Sequence, residues 1–263
     1  MIPRCLSRFA TSSSSSAPST SSRSAASLPS INLYSIRRRL AEKLSNKYDE
    51  QRVQQIGPDL ACLEWLMSCG ATSVRMSDGQ VITRQKEMKE YIPHVMATEE
   101  STATKHGKSP RPQIQTGDIA YEKQFPNAPY TWIVDVDASD SAIANEGFTY
   151  LRDVRRVEKL KFNFCDYFGD EALKFLAQGR PAETLMDLEI VLNPCVTDGA
   201  VYWLQKLKNL RRAHFYFLPY VAHRQGFVRQ LKMALPKCTV TFPEIDAVGY
   251  GYEDSKQEKK KRK

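Results

Sequence analysis

The stretch Leu160-x-Phe162-x-x-Cys165-x-x-Phe168-x-Asp170-x-Ala172-Leu173-x-x-Leu176 decides the fold, because its pattern returns 28 residues later. The second copy reads Leu188-x-Ile190-x-x-Asn193-x-x-Val196-x-Asp198-x-Ala200-Val201-x-x-Leu204. Apolar residues two apart at the start of each copy are typical of a strand, and the later spacing of three to four is typical of a helix. The chain therefore repeats a strand–helix unit, and such units stack because none buries its apolar face alone.

The pattern extends in both directions from these two copies. A strand around Val136 lies 24 residues before Leu160, and Ala213-x-Phe215 lies 25 residues after Leu188. A final strand is predicted over residues 238–242, where apolar and polar residues alternate. We predict an α/β fold: a leucine-rich-repeat solenoid of about four strand–helix repeats with a parallel sheet, spanning residues 130–243.

Four residues are predicted to hold structural positions of the repeat. Cys165 and Asn193 occupy its cysteine/asparagine slot, where the side chain points inward and hydrogen-bonds the backbone of the turn. Asp170 and Asp198 recur five residues later, at the start of each predicted helix. We expect these residues to serve the fold rather than a reaction.

The segment before the repeats is predicted to close their open end. Gly57-Pro58-Asp59 suits the start of a helix, Cys69-Gly70 suits its end, and Asp78-Gly79 suits a hairpin turn. We therefore predict a helical N-terminal capping domain over residues 45–96. Residues 97–129 contain several Pro and Gly residues and little apolar material, so we predict a loop or insertion there.

The two ends of the chain carry most of its positive charge. Residues 1–40 are rich in Ser and hold six Arg and no acid, which is the composition of a mitochondrial transit peptide. The alternative is a disordered Ser-rich tail without a targeting function. Residues 244–263 are predicted to be a disordered basic tail, with a nuclear localisation signal or an RNA-binding tail as alternatives. Removing +6 for residues 1–40 and +5 for residues 256–263 from the net +8 leaves −3, which argues against a nucleic-acid-binding face.

The exposed strand positions are predicted to alternate in charge from strand to strand. Asp135 and Asp137 would lie beside Lys159 and Lys161, and these lysines would neutralise them, whereas a general base needs a raised pKa. Cross-strand pairing is the simplest interpretation, with partner recognition as the alternative. The six Cys and four His show no zinc spacing, and the chain has no phosphate-binding loop, so we predict that the protein is not an enzyme.

Three short segments resemble the signature of the mitochondrial ATP synthase subunit s family, also called coupling factor B. They are Ile56-Gly-Pro-Asp59, Glu64-Trp-Leu66 and Cys69-Gly-Ala71. The resemblance implies a leucine-rich-repeat protein without a small-molecule substrate, bound peripherally to the matrix side of the mitochondrial inner membrane. It also implies a role in proton conduction and coupling at the ATP synthase membrane sector. A related branch, distal membrane-arm assembly complex protein 2, makes complex I assembly intermediates the alternative partner. A third hypothesis is an adaptor for ubiquitin ligation, because leucine-rich repeats also occur in such adaptors.

The resemblance also implies site residues. Family members hold a magnesium ion through backbone oxygens, which here would be the carbonyls of Gly57 and His94, although no cofactor is required. A Cys-x-Cys pair of the family is reduced here to Asn163 and Cys165, which argues against a dithiol redox role. Because the signature is sharpest in the cap, we predict partner contacts by three of its residues, namely Asp59, Glu64 and Trp65.

Overall fold

The computed structural model describes residues 45–105 and 121–246. The predicted transit peptide and residues 247–263 of the basic tail lie outside these residues. The strands are β1 (Ser73–Met76), β2 (Val81–Ile82), β3 (Ile133–Asp137), β4 (Lys159–Asn163), β5 (Asp187–Val191), β6 (Arg212–Tyr216) and β7 (Thr239–Thr241). The helices are α1 (Glu50–Ile56), α2 (Pro58–Ser68), α3 (Gln85–Lys105), a 3-10 turn (Asn145–Phe148), α4 (Thr149–Arg152), α5 (Asp170–Gln178), α6 (Pro181–Thr184), α7 (Ala200–Leu204), α8 (Arg224–Ala234) and α9 (Pro243–Asp246). Among these described elements no helix is both long and apolar enough to cross a membrane.

The strands form one sheet in the order β2-β1-β3-β4-β5-β6-β7. Strands β3 to β7 run parallel, and each connection between them carries at least one helix, as parallel pairing requires. The register places Val136, Leu160, Leu188, Ala213 and Val240 side by side. The predicted α/β class and parallel strands are therefore confirmed.

Only one face of the parallel strands is buried. In β5 and β6 buried residues alternate with partly exposed ones, and the buried set packs against the helices. Phe148, Phe162 and Phe168 lie at the centre, with ring centroids 5.0 to 5.3 Å apart. Burial of an aromatic or aliphatic side chain stabilises a fold by about 1.5–3 kcal/mol, so this apolar layer is the main source of stability.

The N-terminal segment covers the open end of both the sheet and the helical layer. The predicted hairpin is confirmed, and its strand β1 pairs antiparallel with β3, so it extends the same sheet. The predicted helix is also confirmed as α2, with Gly57 (φ +87°) separating it from α1. One continuous apolar core runs from Val53 to Phe242, so the cap shares its core with the repeated units.

Two predicted boundaries differ from the structure. The segment 97–129, expected to be a loop or insertion, begins inside α3, which continues to Lys105 despite Pro93 in its interior. Its far end is also ordered, because residues 121–124 form a helical turn and bury Tyr121 and Phe125. The tail predicted from residue 244 begins within α9 (Pro243–Asp246). Tyr121 and Phe125 anchor residues 121–125 to the core, which the Pro and Gly residues of the segment did not indicate.

We expect Gly57→Ala to lower the free energy of unfolding by about 2–3 kcal/mol, because only glycine tolerates this backbone region. An added Cβ would also lie 2.8 Å from both the Cα and the Cβ of Ala128. Gly70→Ala is the matched control, since Gly70 has a similar φ of +85° and nothing within 4 Å of an added Cβ. Urea denaturation measures both variants, and equal losses would show that the contact with Ala128 contributes nothing.

Candidate functional site

The exposed face of the sheet carries two rows of charged side chains in register. The first row is Asp135, Lys159, Asp187 and Arg212, and the second is Asp137, Lys161, Glu189 and His214. Acid and base alternate along each row as far as β6, as the sequence predicted. All of these residues except His214 line a depression of about 310 Å³.

Contacts within the rows leave little free charge. Arg212 Nε and Nη2 bind the two carboxylate oxygens of Asp187 at 2.9 and 2.6 Å. Lys161 Nζ lies 3.5 Å from Asp137 and 3.9 Å from Glu189. Exposed pairs of this kind each contribute only about 0–1 kcal/mol, so they neutralise the face more than they stabilise it. The face therefore offers neither an unpaired carboxylate for acid–base catalysis nor a strong field for a charged partner.

On the same face of β4, Asn163 is less exposed than the charged residues of the two rows. Its side chain is only 9% exposed and donates to Glu189 Oε1 at 2.7 Å. Val191 and Tyr216, which lie beside Asn163 in the register, are partly exposed.

The predicted structural positions of the repeat lie where they can bind the adjacent turn. Asn193 is fully buried and makes four hydrogen bonds: Nδ2 donates to the carbonyls of Cys165 and Phe168, and Oδ1 accepts from the backbone N–H groups of Cys195 and Val196. Cys165 Sγ is 3.2 Å from the carbonyl of Ala138 in the preceding unit.

The two recurring aspartates link consecutive units at the start of their helices. Asp170 accepts hydrogen bonds from the backbone and hydroxyl of Thr197, and Asp198 accepts from the backbone N–H groups of Ala222 and His223. Each carboxylate thus fixes the turn of the following unit against its own helix.

Two of the three predicted partner contacts are buried, so the prediction is wrong for them. Asp59 is 2% exposed and Trp65 is 3% exposed. Trp65 stacks on Tyr150 with centroids 5.5 Å apart and donates to Asn46 Oδ1 at 3.2 Å. Glu64 is partly exposed but binds Arg52 within the cap. Asp59 and Trp65 therefore hold the cap on the first unit, whereas Glu64 makes its contact within the cap.

Asp59 is the polar centre of that closure. Its carboxylate accepts from Tyr121 Oη at 2.8 Å, from Ile133 N at 3.1 Å and from Arg155 N at 3.2 Å. Burial raises the pKa of Asp59, while these hydrogen bonds and the nearby Arg155 charge act in the opposite direction. Through these hydrogen bonds the Asp59 carboxylate joins α2, residues 121–124, β3 and the segment before β4.

Of the two carbonyls predicted to hold magnesium, that of Gly57 lies between α1 and α2 and that of His94 lies within α3, and each accepts a hydrogen bond. The carbonyl of Gly57 accepts from Ala61 N at 3.1 Å, and that of His94 accepts from Thr98 Oγ1 at 2.8 Å. Residues 45–105 and 121–246 contain no group of three or more His, Cys, Asp or Glu that could hold a metal ion. A carbonyl oxygen that accepts one hydrogen bond keeps a second lone pair, so magnesium binding through these backbone oxygens stays a prediction.

Sequence reasoning missed one column of residues, at the carboxyl ends of the parallel strands. Asp140, Phe164, Leu192 and Phe217 each follow the aligned residue of their strand by four positions, and each has a positive φ of 51–58°. This conformation costs a non-glycine residue about 1–2 kcal/mol. The side chains of Phe164, Leu192 and Phe217 are 54%, 37% and 51% exposed. Aligning the repeats shows that these four residues occupy equivalent positions. The pattern of apolar residues does not indicate their positive φ.

These features define a class: an α/β protein of stacked strand–helix units whose buried polar side chains tie the units together. Over 192 residues the chain is 30% identical to "ATP synthase subunit s, mitochondrial" of Homo sapiens, which covers 73% of this chain and 78% of that relative. Relatives of the same name from Bos taurus and Mus musculus are 29% and 30% identical over the same shares. No protein-family model matches the chain. The chain belongs to the ATP synthase subunit s family.

We expect Asn193→Ala to lower the free energy of unfolding by about 3 kcal/mol or more, because buried carbonyl and N–H groups would lose their partner. Asn209→Ala is the matched control, since exposed Asn209 donates a single hydrogen bond to the carbonyl of Glu183. Thermal and urea denaturation compare the two variants. Equal, small losses would contradict the structural role of Asn193.

Thiol labelling of the native protein should separate the cysteines by burial. Burial raises the pKa of Cys69 to about 12 and also raises the pKa of Cys165, whose side chain is inaccessible. Cys195 is exposed. Brief treatment with iodoacetamide at pH 7.5 followed by peptide mapping should modify Cys195 and leave Cys69 and Cys165 unmodified until urea is added. Rapid native modification of Cys165 would contradict its structural role.

Proposed function

We propose that the chain is a non-enzymatic mitochondrial protein that associates with the ATP synthase membrane sector and supports proton conduction and the coupling of ATP synthesis. The observation that carries this proposal is the similarity to relatives named as subunit s of mitochondrial ATP synthase, over 73% of the chain. The Arg-rich, Ser-rich residues 1–40 have the composition of a mitochondrial leader.

The repeated units support a binding role and suggest a leucine-rich-repeat solenoid. Each of β3 to β6 has five residues, a turn fixed by hydrogen bonds to its neighbour follows each strand, and the sheet has one exposed face. Proteins of this architecture act through extended surfaces. The paired charges of the exposed face fit such a role better than acid–base chemistry.

The protein would act peripherally, on the matrix side of the inner membrane. Anionic lipid attracts basic segments by about 1 kcal/mol per Lys or Arg near the surface, and residues 256–263 carry a net +5. Magnesium binding stays a prediction, and the carbonyls of Gly57 and His94, which each accept a hydrogen bond, give it little support.

The association is tested on native gels of mitochondria that contain the tagged full-length chain. We expect co-migration with ATP synthase, and we expect that deleting the gene lowers proton-coupled ATP synthesis while complex I content is unchanged. Re-expression of the wild-type chain should restore coupling. Co-migration with complex I assembly intermediates alone would replace the proposal with an assembly role, and cytosolic or nuclear localisation would favour an adaptor for ubiquitin ligation.

A further inference from the structure

Three exposed apolar side chains form a ridge along one edge of the sheet. Phe164, Leu192 and Phe217 follow β4, β5 and β6, and we call them the turn ridge. Their backbones are adjacent, because Phe164 N donates to Val191 O and Leu192 N donates to Tyr216 O, both at 2.9 Å. Each side chain is at least 37% exposed, so the core gains little from it.

The fold does not require apolar residues at these positions. Asp140 occupies the equivalent turn after β3 with the same positive φ. Aspartate and asparagine tolerate this conformation better than Phe or Leu, because their short polar side chains hydrogen-bond locally. The ridge therefore combines an unfavourable backbone conformation with exposed apolar surface, and neither property stabilises the chain alone.

The edge that carries the ridge is acidic, and the opposite edge is basic. Because β3 to β6 are parallel, every turn after a strand lies at one edge and every segment before a strand lies at the other. The turns 138–144, 164–169, 192–199 and 217–223 contain three Asp and no Lys or Arg. The segments 153–158, 179–186, 205–211 and 235–238 contain seven Lys or Arg and three Asp or Glu.

The spacing of the ridge matches one face of a helix. Neighbouring strands lie about 4.8 Å apart, and side chains three or four residues apart on a helix are about 5–6 Å apart. A helix lying across the strand ends would place successive apolar residues of one stripe against successive ridge residues. Basic residues beside that stripe would face Asp140 and Asp166, which are exposed.

We infer that the turn ridge docks an amphipathic helix of a partner protein that carries Lys or Arg beside its apolar stripe. The inference deepens the proposed function, and it rests on that function only for the source of the helix, a subunit of the ATP synthase membrane sector. Charge complementarity disfavours an anionic membrane as the occupant, since the edge is acidic. The basic run of this chain, Lys256–Lys263, contains no apolar side chain that could cover the ridge.

The occupant is identified by photo-crosslinking in intact mitochondria. A photo-crosslinking amino acid replaces Leu192 in the full-length chain, and the matched control replaces Tyr202, which is 53% exposed on α7. From position 192 we expect crosslinks to one segment of another protein with apolar residues at helical spacing beside Lys or Arg, and none to that segment from position 202. Crosslinks to any other segment of this chain, including residues 1–44 and 247–263, to a second copy, to lipid or to nothing would overturn the inference.

Substitution separates the docking role from a folding role. The pair Phe164→Asn and Phe217→Asn should leave the melting temperature unchanged or raise it, and should reduce capture of the crosslinked segment at least tenfold. The pair Val81→Asn and Met233→Asn, also exposed but on other elements, should leave capture unchanged. Asp140→Asn with Asp166→Lys should also reduce capture about tenfold, and Asn tolerates the positive φ at position 140. A large drop in melting temperature for the ridge pair, or capture that is unchanged, would overturn the inference.

The two proposals fail in different ways. If the chain co-migrates with ATP synthase and the ridge variants do so equally, the turn ridge inference fails and the proposed function stands. If position 192 crosslinks to a basic amphipathic helix from a different complex, the proposed function fails and the ridge remains a helix-docking surface.

Discussion

The structure depends on one alignment, in which Val136, Leu160, Leu188, Ala213 and Val240 lie side by side on neighbouring strands. Because side chains alternate along a strand, this register sends one set of residues into the core and the next to the open face. A slip of one residue would exchange the two sets and bury lysines, so the register is strongly specified. Asn193 adds to this specification, since its hydrogen-bond partners lie in the preceding turn as well as its own.

The same alignment decides what the surface can do. It brings acid beside base on the open face, so Asp187 and Arg212 satisfy each other and little net field remains. It also brings the four turns with positive φ to one edge, where nothing within the described residues covers Phe164, Leu192 and Phe217. Recognition is therefore better placed at the edge of the sheet than on its face.

The parallel strands and the paired charges could be predicted from the sequence, because the apolar residues of the units recur at a nearly constant spacing. The spacing of Leu160 and Leu188 gave the parallel strands and the paired charges, and glycines around α2 and β1 gave the helix and the hairpin. The extent of α3 could not be predicted, because residues 97–105 contain little apolar material and the buried side chains of the helix, Met88, Ile92 and Val95, lie before them. The turn ridge was missed because a positive φ at Phe164 leaves no mark on apolar periodicity.

Asp59 and Trp65 were predicted to contact a partner but are buried, and the physical cause of this difference bears on function. A segment that closes a stack must match the first unit in shape and hydrogen bonding, so its residues are constrained even when no partner touches them. Asp59 binds three separate segments, and Trp65 fills the space beside Tyr150. Resemblance in the cap therefore reflects how the first strand–helix unit is covered. Evidence on partners must come from side chains such as Leu192, whose conformation and exposure the fold itself does not explain.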